Sequence, residues 1–287
     1  MEFEKWQALG NDYVILEERA LPFQLTPARV RAICAAHTGV FSDGVLLLSD
    51  PDDPECVARV RIFNPDGSEA EVSGNGAREA ILYMRRRGWT EAGEFSIQTA
   101  AGILRPTILS ATTCRVEMGR ARTQSPDYPT GDATGRGELS ADGHHWSFQH
   151  VNVGNPQCAI SVETVERLAA LDLSAIGPGI EHHELFPNRT NVSWFTALEP
   201  GRIRARIFER GVGETAASGT GATGAAVSHA LDGAGAGQPA SVSVVLDGGE
   251  LEVELGEDLS ISLTGRAEPV FAGELSEEFM EVLRATE

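Results

Sequence analysis

Two short peptides that repeat half a chain apart carry the residues best suited to chemistry. Residues 73–77 read Ser-Gly-Asn-Gly-Ala, and residues 218–222 read Ser-Gly-Thr-Gly-Ala, 145 positions later. A tight Gly-X-Gly turn that begins a helix presents backbone N–H groups, which bind a carboxylate or a phosphate. Two such turns predict one anion held by two helix N-termini, with Ser73 and Ser218 flanking the ligand from opposite sides.

Polar residues lead into both turns, directly after a predicted strand. Asn64, Glu209 and Arg210 are therefore candidate ligand contacts, because Arg can clamp a carboxylate and Glu can bind an ammonium group. Glu69 and Glu214, also 145 positions apart, are candidate acid/base residues. Their repeated position favours the alternative that each carboxylate orders its own turn by accepting backbone N–H bonds.

Several further polar residues stand in predicted turns. Asn11, Asn155, Asn188 and Asn191 each lie beside Gly, Pro or Asp, and asparagine in a turn commonly serves the backbone. The run Glu-His-His-Glu at 181–184 could suggest a metal site. Adjacent residues of one helical turn point in different directions, so we expect no metal there.

The composition narrows the class of protein. The chain has 287 residues, 41% of them hydrophobic, and a formal net charge of −19. These values are typical of a soluble globular protein of roughly two domains. The acidic balance argues against nucleic acid or an anionic membrane surface as a partner. The four cysteines are scattered, and we find no signal-peptide pattern and no bilayer-length apolar run. We therefore expect a cytoplasmic protein without a disulfide framework.

Short strands separated by Gly, Pro and Asp turns dominate the chain. In the first half we predict helices at 27–37 and 76–87 and strands at 3–9, 13–16, 45–48, 57–63, 95–99, 103–109 and 113–117. In the second half we predict helices at 164–170, 221–231 and 274–285 and strands at 146–153, 159–162, 191–196, 203–208, 241–246, 251–255 and 259–263. Residues 120–143 are predicted to be a surface excursion. One principal helix per half and an excess of strands indicate an α+β fold.

Over nearly its whole length the chain resembles the diaminopimelate epimerase family. The resemblance is carried by Gly-Asn-Asp-Tyr at 10–13, Arg-Ile-Phe-Asn at 61–64, Gly-Asn-Gly-Ala-Arg at 74–78, Gly-Asn-Pro at 154–156, and the segments 186–192, 209–215, 219–222 and 268–271. It implies cofactor-independent and metal-independent interconversion of LL- and meso-diaminopimelate in lysine and cell-wall synthesis. The expected partner is thus a small diamino diacid, and a homodimer is a further expectation for the family.

The resemblance also implies a fold and a set of site residues. It implies two α+β domains related by a pseudo-twofold axis, at 1–118 plus 267–287 and at 119–266, each a mixed, curved sheet around a central helix, with the active site in the cleft between them. The reacting carboxylate would be held by the backbone N–H groups of Gly74, Asn75, Gly219 and Thr220. Asn11 would orient the amino group at that carbon. The distal end would be recognised by Asn64, Asn155, Asn191, Glu209 and Arg210.

The chain departs from the family at the two residues of proton transfer. The family has cysteine at the positions of Ser73 and Ser218. A thiol titrates near 8.5 and an alcohol close to water, so forming the alkoxide costs roughly 7 pKa units, on the order of 9 kcal/mol. A helix N-terminus contributes only about 0.3–2 kcal/mol toward that. We therefore predict very low epimerase activity, with two alternatives: another reaction that uses a carboxylate base such as Glu69 or Glu214, or a non-catalytic amino-acid binding protein.

Overall fold

Residues 1–70, 73–232 and 240–286 are described by the computed structural model of the chain. They divide into two units. Unit 1 comprises Met1–Val116 and Gly265–Glu287, and unit 2 comprises Glu117–Thr264. Within the described residues, no helix is both long enough and apolar enough to cross a bilayer.

Unit 1 begins with alternating short strands and two helices. In chain order its elements are β1 (Glu2–Ala8), β2 (Asn11–Glu17), a 3-10 turn (Glu18–Ala20), α1 (Pro27–Cys34), β3 (Val45–Ser49), β4 (Ala58–Phe63), β5 (Glu69–Ala70), α2 (Gly74–Arg86), β6 (Ile97–Thr99), β7 (Gly102–Leu104), β8 (Pro106–Ser110) and β9 (Thr113–Arg120), which leads into unit 2.

Unit 2 repeats this arrangement with longer strands. Its elements are β10 (Arg136–Ala141), β11 (His144–Asn152), β12 (Pro156–Ser161), α3 (Val165–Ala170), α4 (Leu173–Glu181), β13 (Asn191–Glu199), β14 (Arg202–Glu209), β15 (Gly213–Thr215), α5 (Gly219–Asp232), β16 (Ala240–Leu246), β17 (Gly249–Leu255) and β18 (Ser260–Arg266). The chain then returns to unit 1 with β19 (Glu268–Glu274) and α6 (Glu277–Ala285).

The sheets of the two units share one topology. In unit 1 the strand order is β19-β1-β2-β3-β4-β6-β7, with β5 paired to β4. In unit 2 the order includes β10-β11-β12-β13-β14-β16-β17-β18, with β15 paired to β14. The pairs β2/β3 and β4/β6 are parallel, as are their counterparts β12/β13 and β14/β16. The half-chain repeat seen in the sequence is therefore a repeat of the whole supersecondary unit.

Each sheet packs on one enclosed helix. Ten successive residues are buried in α2 (75–84), and ten in α5 (219–228). A helix that is buried on all sides must be surrounded by other elements. Accordingly, α2 contacts β1, β2, β3, β4 and β19, and α5 contacts β11, β12, β13, β14, β16 and β17. The α+β class with one principal helix in each half is thus confirmed.

Several predicted elements differ from the structure. The predicted strand at 103–109 is two strands, β7 and β8, which belong to different hairpins. Residues 120–143 contain strand β10, which the excursion prediction missed because only Leu139 of that strand is buried. The edge strand β19 was also missed, although it pairs with β1 along most of its length.

Helix α4 was missed for a different reason. It contains Gly177, Pro178 and Gly179, which locally disfavour a helix. The glycine at 177 is required by packing, because a Cβ atom there would lie 2.5 Å from the ring of Phe208. A close helix–strand contact therefore overrides helix propensity at this position.

Candidate active site

Ser73 lies where the first repeated turn meets its helix. It is the N-cap of α2, and the backbone N–H of Gly76 donates to its hydroxyl oxygen at 3.1 Å. The Tyr13 hydroxyl also donates to Ser73 Oγ, at 3.4 Å. Serine is a favoured N-cap residue because its oxygen satisfies one of the helix N–H groups that have no intrahelical acceptor.

Ser218 occupies the matching position in unit 2. The backbone N–H of Gly221 donates to its oxygen at 3.2 Å, so it caps α5 as Ser73 caps α2. Its other partner is a carboxylate: the Ser218 hydroxyl donates to Glu209 Oε2 at 3.1 Å. The Thr215 hydroxyl donates to the second oxygen, Oε1, at 2.9 Å. Burial raises the pKa of Glu209, and these two hydrogen bonds oppose that rise.

In both units an asparagine contacts the residue two positions after the serine. The side chain of Asn75 donates to Asn11 Oδ1 at 3.3 Å. In unit 2, Asn155 donates to the Thr220 hydroxyl oxygen, also at 3.3 Å. The structure therefore brings the predicted residues Asn11 and Asn155 each to the side of a serine turn, although they are distant from it in the chain.

The remaining predicted contacts divide between the two units. In unit 2, Asn191 Oδ1 accepts from the backbone N–H of Arg210 at 2.8 Å, and the Arg210 guanidinium donates to the carbonyl oxygen of Asn188 at 2.8 Å. In unit 1, Asn64 donates to the Ser68 hydroxyl at 2.9 Å, within its own loop. The predicted binding residues of unit 2 therefore make hydrogen bonds between distant segments, whereas Asn64 in unit 1 bonds only within its own loop.

Glu69 and Glu214 are held by arginines rather than by backbone N–H groups. Arg61 donates through Nε and Nη2 to the two oxygens of Glu69, at 2.9 and 2.8 Å. Arg206, which is 145 positions beyond Arg61, donates through the same two atoms to Glu214, at 3.0 and 2.6 Å. The Arg61 hydrogen bonds lower the pKa of Glu69. The predicted ordering role is supported, but the predicted partner was wrong.

The structure adds two fully buried ionisable residues, Arg78 and Glu79, that the sequence reasoning missed. Arg78 is fully buried, and its Nη1 and Nη2 atoms donate to the Gly74 carbonyl (2.9 Å) and to Asn75 Oδ1 (2.6 Å). It therefore fixes the side chain that contacts Asn11. Glu79 is also fully buried, and burial raises its pKa well above the ordinary value. Among the described residues, no strong hydrogen bond reaches its two oxygens, and the backbone N–H of Tyr13 only partly opposes the rise in pKa.

A second missed residue orders the loop after Glu209. Glu181 is 4% exposed, and its Oε1 accepts from the backbone N–H of Gly211 at 2.9 Å and from Arg189 at 3.1 Å. The sequence signal was present, since Glu181 begins the run 181–184. That run had been placed in one helical turn, but α4 ends at Glu181. Within 1–70, 73–232 and 240–286, no cluster of three His, Cys, Asp or Glu residues is suited to a metal.

The four cysteines of the chain do not supply thiols at the serine turns. Cys34, Cys56, Cys114 and Cys158 are free and buried. Burial raises the pKa of each thiol, to about 12 for Cys114. A thiol of this kind stays protonated at neutral pH, so the residues able to exchange protons at the turns are the serines and their neighbours.

A cavity of about 440 Å³ on unit 2 lies elsewhere. Its lining includes Arg136, Ser147, Gln149 and Asp232, and none of the predicted site residues. We place the candidate site at the serine turns because the repeated polar contacts converge there.

Comparison with known proteins identifies the family of the chain. The sequence profile described as diaminopimelate epimerase matches residues 3–124 and 149–270. A relative of that name from Desulfitobacterium hafniense is 37% identical, over 97% of this chain and 99% of its own length. One from Moorella thermoacetica is also 37% identical, over 96% of this chain and 99% of its own.

Solved structures show the same fold at lower identity. A PhzF-family phenazine biosynthesis protein from Bacillus anthracis has a TM-score of 0.69 and 16% identity, with 96% of this chain and 99% of that chain covered. A probable proline racemase from Agrobacterium radiobacter K84 has a TM-score of 0.67 and 17% identity, with 96% and 92% covered. These two likenesses speak for the fold alone. With a profile match over most of its length and relatives of that name at 37% identity, the chain belongs to the diaminopimelate epimerase family.

Proposed function

We propose that this chain binds 2,6-diaminopimelate and that Ser73 and Ser218 stand at the two positions of proton transfer in a cofactor-independent epimerase. The observation that carries the proposal is the repeated turn. In both units a serine caps the enclosed helix, and an asparagine distant in the chain contacts the residue two positions after that serine. The relatives at 37% identity carry the name diaminopimelate epimerase, which fits an amino-acid ligand at these turns.

The turns supply groups suited to the carboxylate at the reacting carbon. The proposed donors are the backbone N–H groups of Gly74, Asn75, Gly219 and Thr220, in the first turns of α2 and α5. N–H groups at a helix N-terminus lack intrahelical acceptors, and the helix dipole favours a negative charge there. Stabilising that charge lowers the barrier to removing the α-proton, because the carbanion's electron pair delocalises into the carboxylate.

Polar side chains around the turns suit the two amino groups and the second carboxylate. Asn11 is proposed to orient the amino group at the reacting carbon, in keeping with its contact to Asn75. The distal end would be recognised by Asn64, Asn155, Asn191, Glu209 and Arg210. Arg210 can clamp a carboxylate through two N–H donors.

The same proposal predicts a slow enzyme. Without an assisting base, removing a proton by serine requires an alkoxide, at a cost on the order of 9 kcal/mol over a thiolate. The unmodified chain should therefore bind diaminopimelate well while epimerising it slowly. A cytoplasmic location and a homodimeric assembly remain expectations for this protein.

Binding and restored catalysis together test the proposal. Calorimetry with LL- and meso-diaminopimelate should show binding, and L-lysine, which lacks the distal carboxylate, should bind at least tenfold more weakly. The double variant Ser73→Cys/Ser218→Cys should interconvert the two stereoisomers, measured by chiral chromatography.

A matched control tests whether activity depends on the position of the thiols. Ser110→Cys/Ser241→Cys places two thiols at exposed positions outside the turns, one in each unit, and should add no activity. If the unmodified chain binds neither stereoisomer, and the turn-restored variant turns over neither, the proposed substrate is wrong. Tight binding with no exchange in any variant would instead favour a binding protein.

A further inference from the structure

The segment between β9 and β10 contains a carboxylate that accepts hydrogen bonds from two asparagine side chains. Asp127 Oδ1 accepts from the Asn188 amide at 2.9 Å, and Asp127 Oδ2 accepts from the Asn152 amide at 2.8 Å. These partners lie 61 and 25 positions away in the chain, so the carboxylate joins three separate segments of unit 2. None of the three residues belongs to the set of proposed ligand contacts.

One of these hydrogen bonds leads to Arg210. The backbone carbonyl oxygen of Asn188 accepts from Arg210 Nη1 at 2.8 Å. A guanidinium has five N–H donors, so this bond orients the side chain and leaves other donors for a carboxylate. Asp127 therefore holds the asparagine against which Arg210 is oriented.

The turn that contains Asn188 needs support from other segments. The next residue, Arg189, has a φ of +60°, which lies in the left-handed region that residues other than glycine rarely adopt. Glu181 holds Arg189 by an ion pair at 3.1 Å, and Asp127 holds Asn188. The conformation of this turn is thus maintained by contacts from outside it.

The other hydrogen bond of the carboxylate leads to Asn155. Asn152 Oδ1 accepts from the backbone N–H of Gly154 at 3.1 Å, which orders the turn immediately before Asn155. Asn155 then reaches the Thr220 hydroxyl at 3.3 Å. The same carboxylate therefore supports two of the residues proposed to recognise the distal end of the substrate.

The segment that carries Asp127 is itself fixed by neighbouring contacts. Ser125 Oγ lies 2.9 Å from Nε2 of the fully buried His150. Tyr128 is 8% exposed, and the centroid of its ring lies 5.8 Å from that of Phe186. A group that is held in place by packing and hydrogen bonds can preorganise the residues that it contacts.

We propose that Asp127 is a positioning residue for the distal end of the substrate, and this inference rests on the proposed function. Through Asn188 it orients Arg210 for the distal carboxylate. Through Asn152 it fixes the turn that carries Asn155. Because this effect is the same before and during proton transfer, its loss should raise KM and leave kcat nearly unchanged.

Calorimetry of the full chain with meso-diaminopimelate and with L-lysine tests this role. Asp127→Ala should weaken binding of meso-diaminopimelate about tenfold, the effect of losing one or two hydrogen bonds. Binding of L-lysine, which lacks the distal carboxylate, should change less than about threefold. Asp127→Asn offers one acceptor oxygen instead of two and should give an intermediate loss. In the Ser73→Cys/Ser218→Cys background, Asp127→Ala should raise KM about tenfold and change kcat less than about threefold.

Two further variants test the route and the charge. Asn188→Ala removes the amide donor, and adding it to Asp127→Ala should weaken binding by less than about threefold more, because residues acting through one contact are not additive. Asp132→Ala removes an equal charge from the same segment, where Asp132 accepts two hydrogen bonds from Thr134 within its own turn. It should leave both affinities within about twofold. Thermal unfolding shows whether each variant is folded.

The outcomes separate this role from the proposed function. The positioning role is wrong if Asp127→Ala weakens both ligands equally, if it weakens neither, or if Asp132→Ala has the same effect. Fully additive losses from Asp127→Ala and Asn188→Ala would also contradict it. In each of these cases the proposed function stands, provided that the unmodified chain binds diaminopimelate. If the unmodified chain binds neither stereoisomer, the proposed function fails and the positioning role fails with it.

Discussion

The serine turns of units 1 and 2 share a backbone but differ in side-chain chemistry. In both, the hairpin before the turn has the same register, with Phe63 opposite Glu69 and Phe208 opposite Glu214. In both, the serine oxygen caps the helix. The second partner differs, because Tyr13 donates its phenol proton to Ser73 whereas Ser218 donates its own proton to Glu209.

This difference gives the two serine hydroxyls different hydrogen-bond settings. Ser73 Oγ accepts two hydrogen bonds, so its own proton is directed away from both donors. The Ser218 hydroxyl donates a hydrogen bond to a carboxylate, so its proton is engaged within the protein. The asymmetry resides in residues 13 and 209 rather than in the turns themselves.

The largest effect should come from restoring one thiol at a time. Ser73→Cys should raise epimerisation of diaminopimelate on the order of a thousandfold, about 4 kcal/mol, because a phenol assists serine poorly. Ser218→Cys should give a smaller gain, because a carboxylate already lies within hydrogen-bond distance of the serine hydroxyl. Chiral chromatography of each single variant measures the difference. Equal gains would show that the two turns are chemically equivalent.

The carboxyls with raised pKa values offer a second contrast, in stability. The fully buried Glu79 in unit 1 is approached only by the backbone N–H of Tyr13, whereas the partly buried Glu209 in unit 2 accepts two hydroxyl hydrogen bonds. Both have a raised pKa in the folded protein, so their stabilising contribution is present below about pH 4.5 and is lost as pH rises through the folded pKa.

Replacing these carboxyls should remove that pH dependence unequally. At pH 8, Glu79→Gln should raise the free energy of unfolding by on the order of 1–3 kcal/mol, and the gain should shrink toward pH 4.5. Glu209→Gln should show the same sign and a smaller gain. Urea titrations across this pH range measure both, and a Glu79→Gln gain that is independent of pH would contradict a raised pKa as the cause.

Removing each cap tests the partners of the two serines. Ser73→Ala should destabilise the protein by about 1 kcal/mol, the usual cost of losing an N-cap. Ser218→Ala should cost about 2 kcal/mol, because the partly buried Glu209 carboxyl also loses a hydroxyl donor. Urea unfolding at neutral pH gives both values. The reverse order would mean that the Glu209 contact adds nothing to stability.

The smallest contrast concerns the second glycine of each turn, three positions after the serine cap. At Gly221 a Cβ atom would lie 2.8 Å from two atoms of Ile207, whereas at Gly76 the nearest atom is the flexible end of Leu46 at 3.0 Å. Overpacking costs about 1–3 kcal/mol and is partly offset by roughly 1 kcal/mol of helix propensity. Gly221→Ala should therefore destabilise by about 1 kcal/mol and Gly76→Ala by close to zero, measured by thermal unfolding.

Local sequence was sufficient where the signal is carried by neighbours in the chain. The Ser-Gly-X-Gly pattern predicted both helix starts within two residues, because an N-cap serine acts on N–H groups only two or three positions away. The predicted helix at 27–37 also began at the right residue, since Thr26 caps α1 and Pro27 is its first residue. The end of that helix was predicted three residues too late, since no local residue marks it clearly.

Side-chain partners that are distant in the sequence could not be predicted from it. Arg61 and Arg206 were not assigned to Glu69 and Glu214, because a strand pairing decides which side chains face each other. Tyr13 stood in a recognised motif without a role, and its contact with Ser73 spans 60 positions. The helix with Gly177 and Pro178 was missed because its close packing on Phe208 outweighs local propensity.

The sequence by itself determined that this protein has two copies of one supersecondary unit, a serine at the head of each enclosed helix, and membership of a family whose members carry cysteine there. These properties follow from residue identity and from spacing along the chain. Only the tertiary structure decided that Tyr13 hydrogen-bonds to one serine and Glu209 to the other. A hydrogen bond across a sheet depends on register and burial, which are set by the packing of the whole unit.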